Sequence, residues 1–326
     1  MSDKVVDRPV TTGAEKTMPA AAEAAVGTKS ARVKRRLTSR GATLASLIIA
    51  VIWTLPTFGL FVSSFRPETD IKTTGWWTIF QNPGFTLDNY REVLLSGSAS
   101  SPQLGSYFVN SLAITIPATL FPLVLACMAA YAFAWIKFKF SGPLFVLIFA
   151  LQIVPLQMAL IPLLQIFSRG IVIGGATIIP GLPQGTYLQV WIAHTIFALP
   201  LAIFLLHNFI SEIPGEVIEA ARVDGASHGQ IFFRIVLPLS VPAIASFAIL
   251  QFLWVWNDLL VALIFSGGTA DVAPLTQRLA ELVGSRGAEW QRLTASAFVS
   301  LVIPLIVFFS LQRYFVRGLL AGASKG

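Results

Sequence analysis

Apolar residues in this chain come in long unbroken runs rather than in alternation. No Asp, Glu, Lys or Arg interrupts Gly41–Phe65, Val93–Ile136, Phe140–Ser168, Gly170–Ser211, Ile235–Asn257 or Leu293–Gln312. The fifth run resumes past Asp258 with Leu259 to Phe265. A helix needs about 20 apolar residues to cross the hydrocarbon core of a bilayer. The pattern therefore predicts six membrane-spanning helices, at about 44–64, 107–135, 143–167, 187–209, 241–265 and 294–314. Continuous apolar runs exclude a β-barrel, whose strands alternate. The first span follows a 40-residue segment and has no small-x-small cleavage site after it, so it does not read as a signal peptide.

Composition agrees. Of the 326 residues, 55% are hydrophobic and 12% charged, with a mean hydropathy of +0.73. A soluble domain carries about 25% charged residues. This excludes an ordinary soluble enzyme, a disordered protein and a nucleic-acid-binding domain. The net charge of +7 reads as positive charge facing the cytoplasm. Six Lys and Arg crowd Lys29–Arg40, against two in the 20 residues after the first span. That predicts a cytoplasmic N-terminus and, with six spans, a cytoplasmic C-terminus. Residues 1–40 have no apolar period to fold around and read as a disordered basic tail suited to anionic lipid. Residues 41–326 form the transmembrane domain. In the outer loop 66–106, Trp76 and Trp77 read as an interface belt, with a sugar-facing surface as the other reading. The single cysteine, Cys127, sits in an apolar run and reads as packing.

The cytoplasmic loop 210–240 carries the most information. Pro214 suits the first turn of a helix, and Val217, Ile218 and Ala221 recur at helical spacing. Gly225 fits a left-handed stop. Ser227 and Gln230 are spaced as a capping box that starts a second helix, and Pro238 and Pro242 lead into the fifth span. A short amphipathic helix, a glycine turn and a second helix are predicted. Ala220 and Ala221 leave a flat surface that another protein can approach closely. No nucleophile is paired with a base there, so the shape suits docking rather than catalysis.

Here a family resemblance enters. Glu219-Ala220-Ala221, three residues, Gly225, nine residues, Ile235-x-Leu237-Pro238 resembles the EAA loop of permeases in ATP-binding-cassette importers. Trp256-Asn257-Asp258-Leu259-Leu260 and the closing run Gln312–Gly326 resemble the smaller permease subunit of the maltose-type sugar branch, and Gly284-Ser285-Arg286-Gly287 more loosely resembles its α-glucoside members. The resemblance covers about residues 41–326. It implies an all-α type I importer permease fold and ATP-driven import of a carbohydrate, an oligosaccharide or α-glucoside. It implies a second permease, two ATPase copies and an extracytoplasmic sugar-binding protein as partners in a lipid membrane, with no nucleic acid. Glu219, Ala220, Ala221, Asp224, Gly225, Ile235, Leu237 and Pro238 would form the ATPase-docking set. Glu219 would meet an ATPase arginine, its other reading being a pair with Arg222; Asp224 would cap or contact the partner, or stand as a solvated turn residue.

The chain has no G-x-x-x-x-G-K-[ST] phosphate loop, since Gly27-Thr28-Lys29-Ser30 keeps only its end. No catalytic, metal or cofactor site is expected in this chain, and ATP with Mg²⁺ would belong to the ATPase. Within the spans, Gln152, Gln157, Asn257 and Asp258 are the candidates for the translocation path. Gln152 and Gln157 flank Pro155 and either line the path or cross-link helices at a kink. Asp258 either marks the path or reaches water at the outer end of span five. His194 and His207 are 13 apart and read as core or interface residues rather than a metal pair. The competing class is an ion-coupled secondary transporter, which usually shows internal repeats and several buried charges; only Asp258 answers that description.

Overall fold

The computed structural model describes residues 40–95, 103–267, 271–285 and 287–323. The basic segment 1–39, Arg286 of the Gly284–Gly287 segment, the closing residues 324–326 and the side chains of 313–323 lie outside that description. The chain divides into two compact units, residues 1–59 and 60–326. The described part of the first unit is the leading stretch of helix α1 (Arg40–Ser64). It is apolar and exposed at nearly every residue. The hydroxyls of Ser46 and Thr54 donate back to the carbonyls of Ala42 and Ala50. That satisfies a polar group locally, as a lipid-facing helix requires.

The second unit takes the end of α1 and adds α2 (Glu68–Thr73), a 3₁₀ turn (Trp76–Phe80), α3 (Asp88–Leu95), α4 (Leu104–Trp135), α5 (Ser141–Ala150), α6 (Leu156–Arg169), the strands β1 (Ile171–Ile173) and β2 (Ala176–Ile179), α7 (Tyr187–Ile210), α8 (Gly215–Val223), α9 (His228–Ile231), α10 (Leu237–Trp256), α11 (Leu260–Phe265), α12 (Leu275–Gly284) and α13 (Trp290–Ala323). Its centre is the pairing of α4 with α7. Ala118, Ala126 and Ala130 on α4 and Ala193 and Ala202 on α7 are fully buried. Where lipid is as apolar as the helix, small residues drive association by letting backbones approach closely. Around them Leu123, Ile203, Leu206 and Ile210 close the contact. Single polar side chains tie helix to helix: Trp191 Nε1 donates to Ala113 O at 2.9 Å, Gln251 Nε2 to Ala118 O at 3.3 Å, and Trp256 Nε1 to Ser300 O at 3.1 Å. The opposite faces stay apolar and exposed, as at Leu120, Phe121, Val124 and Leu125.

Two predicted spans take a different form. The span expected at 143–167 is not one rod. Ser141–Ile153 and Leu156–Arg169 meet at 104°. Pro155 is the cause: it has no N–H to donate, and its ring drives Val154 out of the helical region, to φ −69° and ψ 120°. The span expected at 241–265 is shifted. A continuous rod runs from His228 through Trp256, breaks at Asn257–Leu259, and gives way to the separate α11. Residues Phe232–Val236 of this rod form a π turn. It sits directly before Pro238, whose ring denies Arg234 its usual partner. Among the described residues, five long apolar helices and the bent pair make up to six spans.

Between α6 and α7 the chain forms a β-hairpin, an element the apolar-run reading did not predict. Ile173 pairs with Ala176 and Val172 with Thr177. Gly174 and Gly175 both take positive φ, 59° and 84°, as a two-residue primed turn demands.

Candidate functional site

The loop 210–240 folds as two helices around a tight bend. Pro214 stands at the N-cap of α8, one position earlier than the first turn. At the other end Gly225 has φ +82°. Its N–H donates to Arg222 O, and the N–H of Ala226 reaches back to Ala221 O, both at 3.0 Å. This is the paired closure of a Schellman stop. Ser227 then opens α9 with a complete capping box: its Oγ accepts from Gln230 N–H at 3.3 Å and Gln230 Oε1 accepts from Ser227 N–H at 2.8 Å.

One side of this device is keyed into the bundle. Ile218, Ile231 and Val236 are fully buried and pack with the α4–α7 core. At 1.5 Å per residue the 32 residues of α4 span about 48 Å, which exceeds a hydrocarbon core of about 30 Å. The end of α4 therefore reaches the loop. Tyr131 OH lies 2.9 Å from His228 Nδ1, Trp135 Nε1 donates to Ile210 O at 3.2 Å, and Arg222 Nη2 donates to Trp135 O at 2.9 Å. Arg222 is thus spent on α4 rather than on Glu219.

The other side is open. Glu219, Ala220, Val223, Asp224 and Gly225 are exposed, and Val223 is 87% exposed. Phe233 is 67% exposed one turn into the second helix. Among the described residues the side chain of Glu219 has no ion pair or hydrogen bond. Asp224 is an exposed C-cap residue whose N–H donates to Ala220 O at 3.0 Å. The predicted docking set divides accordingly. Glu219, Ala220, Asp224, Gly225 and Pro238 face outward, whereas Ala221, Ile235 and Leu237 pack against the core. Val223 and Phe233 belong to the outward face and were missing from the predicted set. Their signal in the sequence is apolar side chains off the buried stripe of an amphipathic helix pair.

A second feature lies at the breaks in the third and fifth spans. A cavity of about 400 Å³ opens there, lined among others by Gln152, Pro155, His194, Gln251, Trp254 and Asp258. Of the four path candidates, Gln152 and Asp258 meet at this cavity. Gln157 is exposed and outside its lining, and Asn257 is exposed with its Nδ2 donating to Leu253 O at 2.7 Å. Asp258 is not an acid inside a continuous helix. It occupies the break, where Oδ1 accepts from Val261 N–H at 3.3 Å and Oδ2 from Ala262 N–H at 2.9 Å. Its own carbonyl accepts from Thr276 Oγ1 at 2.6 Å. The carboxylate thereby caps α11, and broken backbone at membrane depth is tolerated where it lines a cavity. Gln251 and His194 were not among the path candidates. Gln251 stands two helical turns before Asp258, a spacing that puts the two on one face; His194 had no such signal.

Comparison with known proteins follows the same lines. The profile of the binding-protein-dependent transport system inner membrane component family matches residues 122–320. The chain is 54% identical to the osmoprotective compounds uptake permease protein GgtD of Synechocystis sp. over 286 residues, covering 86% of this chain and 91% of that one. It is 53% identical to the alpha-glucoside transport system permease protein AglG of Rhizobium meliloti over 265 residues, covering 81% of this chain and 67% of that one. Its fold is similar to a chain in the crystal structure of a bacterial ABC transporter involved in import of the acidic polysaccharide alginate, with TM-score 0.63 at 19% identity over 85% of this chain and 98% of that one. Long apolar helices, a bent helix pair in the loop between two of them, and relatives matched over most of their length agree: the chain belongs to the family of binding-protein-dependent transport system inner membrane components and is a multi-pass inner-membrane permease.

Proposed function

We propose that this chain is one of two permease subunits in an ATP-driven importer of carbohydrates, an oligosaccharide or an α-glucoside. The second permease, two ATPase copies and an extracytoplasmic sugar-binding protein complete the machine. The basic residues before α1 support a cytoplasmic position for the 210–240 loop. The observation that carries the reading is the two-sided build of that loop: Ile218, Ile231 and Val236 key it into the α4–α7 core, while Glu219, Val223 and Phe233 stand exposed on its other side. The exposed side docks in a cleft of the ATPase, with Glu219 meeting a basic side chain there. Closure of the ATPase pair on ATP drives the two loops together. Packed helices shift between discrete arrangements rather than deforming continuously, so the displacement passes through α8 and α9 into α4, α7 and α10. The names of GgtD and AglG, for osmoprotective compounds uptake and alpha-glucoside transport, support an α-glucoside or an osmoprotective compound as cargo.

The test is uptake by proteoliposomes holding the permease pair and ATPases, with ATP inside and binding protein loaded with radiolabelled sucrose, maltose or trehalose outside. Uptake is expected to require both ATP and the binding protein. Uptake that persists without the ATPase and collapses with the proton gradient would make the chain a secondary transporter instead.

A further inference from the structure

The cavity at the two span breaks holds a pair of groups that the docking mechanism leaves unused. The side chains of His194 and Asp258 are 7% and 13% exposed, and His194 Nε2 lies 3.6 Å from Asp258 Oδ2. That separation is too long for a hydrogen bond. Among the described residues His194 Nε2 has no hydrogen-bond partner at all. A buried ring nitrogen left unpaired is costly, and more so where lipid surrounds the bundle. Asp258 is held in place independently, by the N–H groups of Val261 and Ala262. A carboxylate has about four acceptor positions, so capacity remains toward the cavity.

Two polar atoms at this spacing admit one oxygen at about 2.8 Å from both. With hydrogen on Nε2, the atom that fits must accept from His194 and donate to Asp258. A hydroxyl does both. A carboxylate cannot donate and is repelled by Asp258. The remainder of the cavity is mainly apolar, with Gln152 at one wall and the half-exposed ring of Trp254 at another. A few convergent polar groups in an apolar cavity describe a small-molecule site.

We infer that this cavity is a cargo subsite, in which one hydroxyl of a neutral polyhydroxylated solute bridges His194 and Asp258 while Trp254 flanks the ring. The inference rests on the importer reading above and adds that this subunit itself touches the cargo and selects against acidic sugars. Asp258 is positioned for this by the break in the fifth span and His194 by the unbroken helix α7, so the subsite exists only in the folded bundle.

The experiment uses the full reconstituted complex, with sucrose, maltose, trehalose and a glucuronate-containing disaccharide as probes. Variants are His194→Ala, His194→Gln and Asp258→Asn, and two quantities are read: uptake and stimulation of ATP hydrolysis by loaded binding protein. His194→Ala is expected to lower uptake of the neutral probes at least tenfold while ATPase stimulation stays within twofold. His194→Gln, which keeps a donor at similar reach, is expected to restore part of the uptake. Asp258→Asn is expected to lower uptake of the neutral probes and to narrow their advantage over the acidic one. Unchanged uptake in all three variants overturns the subsite, as does preferred uptake of the acidic probe by the wild type. Loss of assembly in both conservative variants assigns the pair to folding and overturns it equally. Wild-type complex without ATP-dependent uptake of any probe contradicts the importer reading instead, so the two failures are distinguishable.

Discussion

Replacing Gly225 by valine is expected to reduce ATPase stimulation by loaded binding protein more than tenfold in the reconstituted complex, while the permease still inserts and purifies. Gly225 sits at φ +82°, a region that costs an L-residue about 1–2 kcal/mol and more when the side chain is β-branched. A Cβ built there meets nothing within 4 Å. The cost is therefore one of backbone conformation, and no neighbouring atom can relieve it by moving. The cheapest relief is to open the Schellman closure, which releases the bonds from Gly225 N–H to Arg222 O and from Ala226 N–H to Ala221 O. The angle between α8 and α9 is then no longer fixed, and a lever without a fixed angle does not transmit displacement. Asparagine tolerates the left-handed region far better than valine. Gly225→Asn should therefore retain most of the stimulation. Equal loss in both variants would show that something other than backbone conformation is at stake.

The neighbours Ile218 and Glu219 are expected to fail in opposite ways. Ile218 is fully buried in the core that joins the loop to α4 and α7. Ile218→Ala should cost about 2–5 kcal/mol, the range for truncating a large apolar core residue. It should appear as a lower melting temperature of the purified permease together with weaker coupling. Glu219 is exposed and unpaired among the described residues. Glu219→Lys should leave melting unchanged, within the roughly 0.5 kcal/mol usual for surface changes. ATPase stimulation should nevertheless fall about as far as in Gly225→Val, because the proposed docking contact would meet a reversed charge. Thermal unfolding in detergent and ATPase stimulation, measured on the same preparations, separate the two effects. A Glu219→Lys permease with full stimulation would remove the charge contact from the mechanism.

Much of this architecture is legible in the chain because its logic is local. The capping box of Ser227 and Gln230, the glycine stop and the amphipathic stripe through Ile218 depend on residues only a few positions apart. The folded loop reproduces them. What escaped depends on distant partners or on breaks that charge counting cannot see. Val154 and Pro155 lie within an unbroken apolar run, so a bend of 104° looks from composition like a continuous span. The hairpin was hidden similarly. Its Gly-Gly turn is a local signal, but strands with every residue exposed carry no alternation to mark them. Asp258 reads as a charge in a helix because the break around it is pinned by Thr276, 18 residues later. The approach of His194 to Asp258 depends on the packing of α7 beside α11, which no spacing within either helix encodes.

The outward side of the loop divides the predicted docking motif in a way that a linear pattern hides. Ala221, Ile235 and Leu237 hold the device to the bundle, while Glu219, Ala220 and Gly225 present it. A single sequence motif thus supplies both the residues that grip the bundle and the residues that stand exposed for the proposed contact, at alternate faces of the same short helices.

Disulfide cross-linking from Val223→Cys tests the central claim most directly. Val223 is 87% exposed, and the native Cys127 is buried at 4% exposure, so the background is low. In the assembled complex, a cysteine at 223 is expected to cross-link to a cysteine in the cleft of the ATPase, with a yield that changes when ATP is bound. Labelling of the same cysteine by an impermeant thiol reagent applied outside intact cells, with no link to the ATPase in any nucleotide state, would contradict the account.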